Sequence, residues 1–218
     1  FLRKNDVDTT PPEVTGNGAD GNPFGFVMGS LGISLLMVMI FTGIGVLSAG
    51  VVEEKASRVV EILLTTVKPR VLLLGKILGI GAGMLVVFAA YMVGIVGGLS
   101  LAGLLPDLGT LGKLGVWTFL PTFLAWTVVG YLTASGLTGA LASTVSRQED
   151  LGGVQTPIIF GLMIPMYAAL YYTPAQPDST ASEVMSFIPL VSPPTMIMRT
   201  ALGGVPVWQQ LVAFAVNI

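Results

Sequence analysis

Charged side chains are few in this chain, and they concentrate in one segment. The sequence has ten basic and twelve acidic residues, and seven of them lie between Glu53 and Arg70, in the string EEKASRVVEILLTTVKPR. Cysteine and histidine are absent, which excludes disulfides, thiolate nucleophiles and imidazole acid–base or metal chemistry. Most covalent mechanisms therefore lose their usual side chains, and the charged segment is the first candidate for a binding function.

This segment has the periodicity of an amphipathic helix. At 100° per residue one face is apolar and consists of Ala56, Val59, Val60, Leu63 and Leu64. The opposite face is centred on Glu54, Arg58 and Glu61, so residues 53–65 are predicted to form a helix at a membrane interface, ended by Pro69. Ile62 falls on the charged face, where solvent would not favour it, and this suggests a protein partner. The alternative is a charged connection that only anchors two membrane spans.

The remaining sequence is that of an integral membrane protein. Hydrophobic residues make up 53% of the chain and charged residues 10%, against about 25% charged in soluble domains, and the mean hydropathy is +0.83. We expect an all-α, polytopic helical bundle. The predicted spans are residues 26–50, 71–101, 116–141 and 154–172, with an incomplete span at 207–218. Residues 1–25 are rich in Asp, Thr, Pro and Gly and are interpreted as the tail of an extracytoplasmic region whose upstream part is missing.

One span contains a small-residue strip. Gly75, Gly79 and Gly83 recur every four residues, a pattern that lets another helix approach closely, so a helix-packing role is predicted. Lys76 stands in the same stretch as the only charge inside a span, and its side chain is expected to extend to the interface.

Residues 186–202 form a second informative region. Pro189, Pro193 and Pro194 prevent an uninterrupted spanning helix, and Arg199 is costly near the bilayer centre. We therefore expect a short helix over Thr195–Leu202 within a re-entrant element that returns to the outer face. Its function is either an outer gate or a structural lid.

Three separated motifs resemble one protein family. The string EEKASRVVEILLTTVKPRVLLLGKILG, the string SRQED and the pattern IP-x-x-SP followed by M-x-x-R-x-ALGG-x-P-x-W occur in this order. Together they resemble the ABC-2 type transporter permeases, in particular the subfamily that includes sodium-extruding permeases. The resemblance implies a transmembrane domain over residues 26–218 and a cytoplasmic coupling helix. The coupling residues Glu53, Glu54, Lys55, Arg58, Glu61 and Ile62 would dock on a separate nucleotide-binding ATPase subunit.

The resemblance also implies how such a protein is assembled. No cofactor would be bound by this chain, ATP and Mg would be held by the partner subunit, and a second permease copy or a paralogue would complete the transport route. The expected location is the plasma membrane, as a multi-pass protein, in bacteria the inner membrane. Basic residues number six on the coupling side and four on the other, a weak bias that also places the coupling segment in the cytoplasm.

Other functional classes remain open at this point. An ion-coupled secondary transporter usually has acidic residues deep in its spans, and the predicted spans contain none. An intramembrane serine protease would need a base, and histidine is absent. A non-transporting membrane scaffold is the remaining alternative, and no basic run indicates nucleic acid.

Overall fold

The structure is a computed structural model that describes residues 21–56, 68–103 and 107–217, and this part of the chain is helical and contains no strand. The helices are α1 (Pro23–Ala56), α2 (Pro69–Leu101), α3 (Leu108–Lys113), α4 (Val116–Ala142), α5 (Leu151–Tyr167), α6 (Thr173–Ala175), α7 (Thr180–Met185), α8 (Ser192–Leu202) and α9 (Val207–Asn217). A 3₁₀ turn over Gln148–Asp150 precedes α5, and a π-helical turn over Ala168–Tyr172 joins α5 to α6.

Four helical segments are long and apolar enough to cross a membrane. They are Pro23–Glu54, Arg70–Leu101, Val116–Ala142 and Gln148–Ala175. The prediction of an all-helical membrane protein is therefore confirmed, and the first and fourth segments are longer than the sequence pattern indicated. The apolar C-terminal segment forms α9, which has 11 described residues and is too short to cross a bilayer.

Helix α1 lies at the centre of the bundle. It packs against α2, α4, α5 and α8, and Asn22 caps its first turn by accepting a hydrogen bond from the Gly25 amide at 2.8 Å. The main buried cluster combines residues of α1, α4 and α8, among them Ile33, Leu36, Ile40, Ile44, Phe123, Trp126, Met196, Ile197 and Met198. Because lipid is as apolar as these side chains, shape complementarity and van der Waals contact, rather than exclusion of water, stabilise this packing.

Glycines let a tyrosine enter between three helices. The ring of Tyr131 on α4 lies between Gly43 of α1 and Gly81 of α2, where an added Cβ would approach ring carbons to 2.8 Å and 2.7 Å respectively. The Tyr131 hydroxyl donates to the Ile77 carbonyl at 3.0 Å. This contact joins α1, α2 and α4 in the half of α1 that leads to Ala56.

The fourth crossing segment departs from a regular α-helix. Pro157 and Pro165 lie inside α5, and each removes a backbone donor from the helical hydrogen-bond ladder. The π-helical turn begins three residues after Pro165, and such turns let a helix continue past a local change in pitch.

Candidate functional site

Two charged residues join the ends of α1 and α2. Glu53 and Glu54 lie near the C-terminus of α1, and Lys76 lies two turns into α2. The Lys76 ammonium is 2.7 Å from a Glu54 carboxylate oxygen, and their side chains are 18% and 40% exposed. Lys76 therefore contacts α1 instead of simply extending to the interface. A partly desolvated ion pair of this kind links the two helices more firmly than a fully hydrated pair would.

The predicted coupling helix is described only at its start. Residues 53–56 continue α1 without a break, so the segment that was expected to begin a new helix is the extension of a span. Arg58, Glu61 and Ile62 lie outside the described residues, as does the side chain of Lys55.

A groove runs beside the Glu54–Lys76 pair, between the last turns of α1 and the first turns of α2. Its volume is about 580 Å³. The described residues that line it are mainly apolar or glycine: Val46 and Gly50 from α1, and Leu72, Gly75, Gly79 and Ile80 from α2. A Cβ on Gly50 would lie 2.9 Å from the Lys76 nitrogen, so the glycine leaves room for the ammonium.

The glycine strip of α2 contacts no other helix of the described chain. An added Cβ on Gly75, Gly79 or Gly83 meets nothing within 4 Å, whereas Gly81 packs closely on Tyr131. The prediction that the strip packs against a helix therefore stays a prediction, since any such helix would belong to residues outside those described or to another molecule.

Helix α8 is the most buried of the short helices. Ten of its eleven residues are buried, including Pro193, Pro194 and Arg199. It lies against the first half of α1 and against α4: a Cβ on Gly29 would meet the Met198 sulfur at 2.7 Å, and a Cβ on Gly130 would meet Pro193 at 3.0 Å. Pro193 and Pro194 stand in its first turn, where the missing amide hydrogens cost little.

The C-terminus of α8 follows the sequence pattern. Gly203 adopts φ +91°, and the Gly204 amide donates to the Arg199 carbonyl at 3.2 Å. The helix ends at Leu202 as predicted, and it starts three residues earlier than the predicted Thr195.

Arg199 is held by a network at the end of α8. Its side chain is 2% exposed. Its Nε donates to the Pro177 carbonyl at 2.9 Å, and one terminal nitrogen donates to the Ser186 hydroxyl at 2.9 Å and to the Gln209 side-chain oxygen at 3.3 Å. Of the partners expected from the sequence, a backbone carbonyl is the one observed. The guanidinium thus ties α8 to the segment before α7, to the turn after α7 and to α9.

Acidic residues near this network oppose the cost of burying Arg199. Burial lowers the pKa of the guanidinium from its ordinary value, and the charges of Glu183 and Asp178 raise it. Glu183 also accepts a hydrogen bond from Gln209 at 3.4 Å. The network is therefore a charged cluster that stays ionised while largely removed from solvent.

The turn that precedes α8 is conformationally unusual. Leu190 has φ +71°, a left-handed conformation that side chains with a Cβ rarely adopt. With Pro189 and Val191 it lines a cavity of about 490 Å³ against α4 and α5, near Pro165. Such strain persists only where the surrounding packing imposes it.

The start of α1 and the end of α8 are at the same end of the bundle. The Asn22 amide nitrogen lies 3.5 Å from the carbonyl oxygens of Ala201 and Leu202. Since α1 leads away from this contact toward Ala56, the Arg199 network and the Glu54–Lys76 pair lie toward opposite ends of α1.

Sequence reasoning missed three polar contacts inside the bundle. They involve Tyr131, Gln209 and Gln155, whose side-chain nitrogen donates to Ser48 across α1 and α5. A long polar side chain in an apolar span was the available signal, because such groups require partners in lipid. Within residues 21–56, 68–103 and 107–217, no three His, Cys, Asp or Glu side chains gather in a way that could hold a metal ion.

Known proteins similar to this chain include two long relatives. The chain is 30% identical over 200 residues to the uncharacterized protein YhaP of Bacillus subtilis, with 84% of this chain and 46% of YhaP covered. It is 28% identical over 198 residues to the uncharacterized protein MJ1024 of Methanocaldococcus jannaschii, with 90% of this chain and 45% of MJ1024 covered. The chain thus spans slightly less than half the length of these relatives, and no solved structure matches it.

A family model matches almost the whole sequence. The model is described as "ABC-2 family transporter protein", and it matches residues 4–218. The match includes the four membrane-crossing segments, the Glu54–Lys76 pair and the buried α8. This chain is a membrane protein that belongs to the ABC-2 transporter family.

Proposed function

We propose that this chain is the permease subunit of an ATP-driven exporter, and that a separate ATPase subunit binds at the connection between α1 and α2. The observation that carries the proposal is the charged end of α1 in a chain of this family: α1 is uncharged from Pro23 to Val52 and then presents Glu53 and Glu54. Residues Lys55, Arg58, Glu61 and Ile62 complete the proposed docking segment.

The energy source is assigned to the partner. Proteins of this family generally pair with ATPase subunits, and this sequence contains no G-x-x-x-x-G-K-[ST] phosphate loop. Its Gly-Lys pairs, Gly75-Lys76 and Gly112-Lys113, lack both the upstream glycine spacing and the following hydroxyl residue. ATP and Mg are therefore placed on the ATPase subunit.

The packing around α1 suggests how a push at one end would reach the other. The Glu54–Lys76 pair and Tyr131 hold α1 and α2 together, so both helices would tilt as one unit. At 1.5 Å per residue α1 is about 50 Å long, and its other half contacts the buried α8. A tilt of α1 would thus be transmitted to α8, and this supports an outer gate formed by α8 and the turn with Pro189.

The finer assignments follow the sequence motifs. We place the chain with the sodium-extruding permeases, in the plasma membrane, with the α1–α2 connection in the cytoplasm and residues 173–206 outside. A second copy or a paralogue completes the transport route. The transported substrate is left open, since neither the apolar spans nor the relatives specify one.

Copurification and ATPase activity test this function. The full-length protein, isolated with its bound subunits, should contain an ATPase with a phosphate loop and should hydrolyse ATP in liposomes. A preparation that retains no such subunit and has no ATPase activity contradicts the proposal, and ATP-independent transport driven by an ion gradient would favour a secondary transporter.

A double variant tests the docking segment. Glu53→Ala with Arg58→Ala leaves the Glu54–Lys76 pair in place and should reduce the ATPase activity of the complex to that of the isolated ATPase subunit. The matched control is Arg147→Ala with Glu149→Ala, which removes an exposed pair at another connection and should retain activity. Equal activity in both double variants would remove the coupling role from this segment.

A further inference from the structure

We propose that the groove between the ends of α1 and α2 binds one phospholipid with a phosphoethanolamine headgroup. The headgroup would lie on the Glu54–Lys76 pair, and an acyl chain would lie along the apolar part of the groove. This inference depends on the membrane location of the chain and not on the ATPase partner.

The groove has the dimensions of a lipid site. Its volume of about 580 Å³ falls within the range of about 300–1,000 Å³ that is usual for small-molecule sites. On α2 the lining extends from Val71 to Ile80, which is about 13 Å along the helix axis. This length is close to the hydrocarbon depth of one leaflet, about half of the ~30 Å core.

Three glycines make the groove. Gly75 and Gly79 leave the α2 wall flat, and an added Cβ on either meets nothing within 4 Å. Gly50 on the α1 wall lets the Lys76 ammonium approach α1, where it reaches Glu54. The groove thus has an apolar floor and a charged pair on one wall, near the end of α1.

The charges of the pair select the headgroup. A membrane ligand that binds beside both Lys76 and Glu54 must offer an anion to the first and a cation to the second. A phosphoethanolamine group carries both, because its phosphate accepts charge-assisted hydrogen bonds from the ammonium of Lys76 and its own ammonium donates to Glu54. A phosphocholine group has the same charges without N–H donors, and a phosphoglycerol group has only the anion.

Native mass spectrometry of the full-length protein measures this binding. After delipidation the protein is titrated with phosphatidylethanolamine, phosphatidylcholine and phosphatidylglycerol of identical acyl chains. We expect one phosphatidylethanolamine per chain, bound about tenfold more tightly than the other two, because hydrogen bonds between charged groups distinguish the headgroups.

Substitutions at matched glycines locate the site. Gly79→Leu places a side chain in the groove and should weaken phosphatidylethanolamine binding at least about tenfold. Gly83→Leu introduces the same side chain one turn further along α2, where it does not line the groove, and should bind as the wild type does. Lys76→Met should abolish the headgroup preference while the protein still folds.

Two results would overturn the proposal. One is equal lipid affinity in the Gly79→Leu and Gly83→Leu proteins. The other is loss of a dimer peak in the Gly79→Leu spectrum with lipid affinity unchanged, which would assign the groove to a second copy of the chain. Neither result bears on whether an ATPase subunit copurifies.

Discussion

At the residue scale, Arg199 shows how a charge is accommodated inside this bundle. Burial removes water from the guanidinium, and the carbonyl of Pro177 and the side chains of Ser186 and Gln209 replace it. Sequence reasoning foresaw the cost of the charge and a carbonyl among its partners, because both follow from residue type. The identity of that carbonyl was beyond the sequence, since it depends on how the loop before α7 folds back over α8.

The first prediction concerns the removal of this charge. Arg199→Met should lower the free energy of unfolding by about 3 kcal/mol, because the buried acceptors of Ser186, Gln209 and Pro177 would be left unpaired. Thermal unfolding of the protein in detergent, followed by tryptophan fluorescence, gives the measurement.

A second arginine provides the control. Arg147 pairs with Glu149 at 3.4 Å, and both side chains are about three-quarters exposed, so Arg147→Met should leave the unfolding temperature unchanged. Equal shifts in the two variants would mean that the Arg199 network contributes no special stability.

At the element scale, the packing of α2 depends on which glycine faces the bundle. The four-residue repeat of Gly75, Gly79 and Gly83 is visible in the sequence, but Gly81 is the glycine that contacts Tyr131. Two residues correspond to about 200° around a helix, so Gly81 lies nearly opposite the strip. A small-residue pattern identifies a flat face and not the neighbour that covers it, and this is why the sequence did not single out Gly81.

The second prediction compares glycines on the two faces of α2. Gly81→Ala should destabilise the protein by about 1–3 kcal/mol, because its Cβ would lie 2.7 Å from the Tyr131 ring and the ring is fixed by packing and by its hydrogen bond. Gly83→Ala should be neutral or stabilising, since alanine favours a helix and its Cβ meets nothing within 4 Å. Unfolding temperatures that rank the two variants in the opposite order would contradict the observed helix contacts.

The elements themselves were largely predictable from the sequence, for a physical reason. Lipid requires each crossing segment to satisfy its own backbone hydrogen bonds, so long uncharged runs specify the four spans nearly by length alone. The end of the first span was placed too early at residue 50, because the charges of Glu53 and Glu54 were taken as the start of a new element. The helix instead continues to Ala56, since a charge ends a membrane span without ending a helix.

At the scale of the whole molecule, the four crossing segments and the contact between Asn22 and α8 fix the relation of the connections to one another. Four crossings return the chain to its starting side, and the Asn22 contacts with Ala201 and Leu202 agree with this parity. The connections at 57–67 and 143–150 therefore share one side, and residues 107–115 and 173–206 share the other. The proposed orientation puts the first pair in the cytoplasm.

The last prediction tests this arrangement by cysteine labelling, which the absence of native cysteine makes unambiguous. Single variants Thr110→Cys and Thr180→Cys, both at exposed positions, should react with a membrane-impermeant maleimide in intact cells. Thr66→Cys and Gln148→Cys should react only after the membrane is permeabilised. The reverse pattern would invert the orientation and place the Glu53–Ile62 segment outside, where no ATPase subunit could reach it. A mixed pattern, in which positions 66 and 148 differ, would contradict the four-crossing fold itself, because these two connections flank α2 and α4 and an even number of crossings separates them.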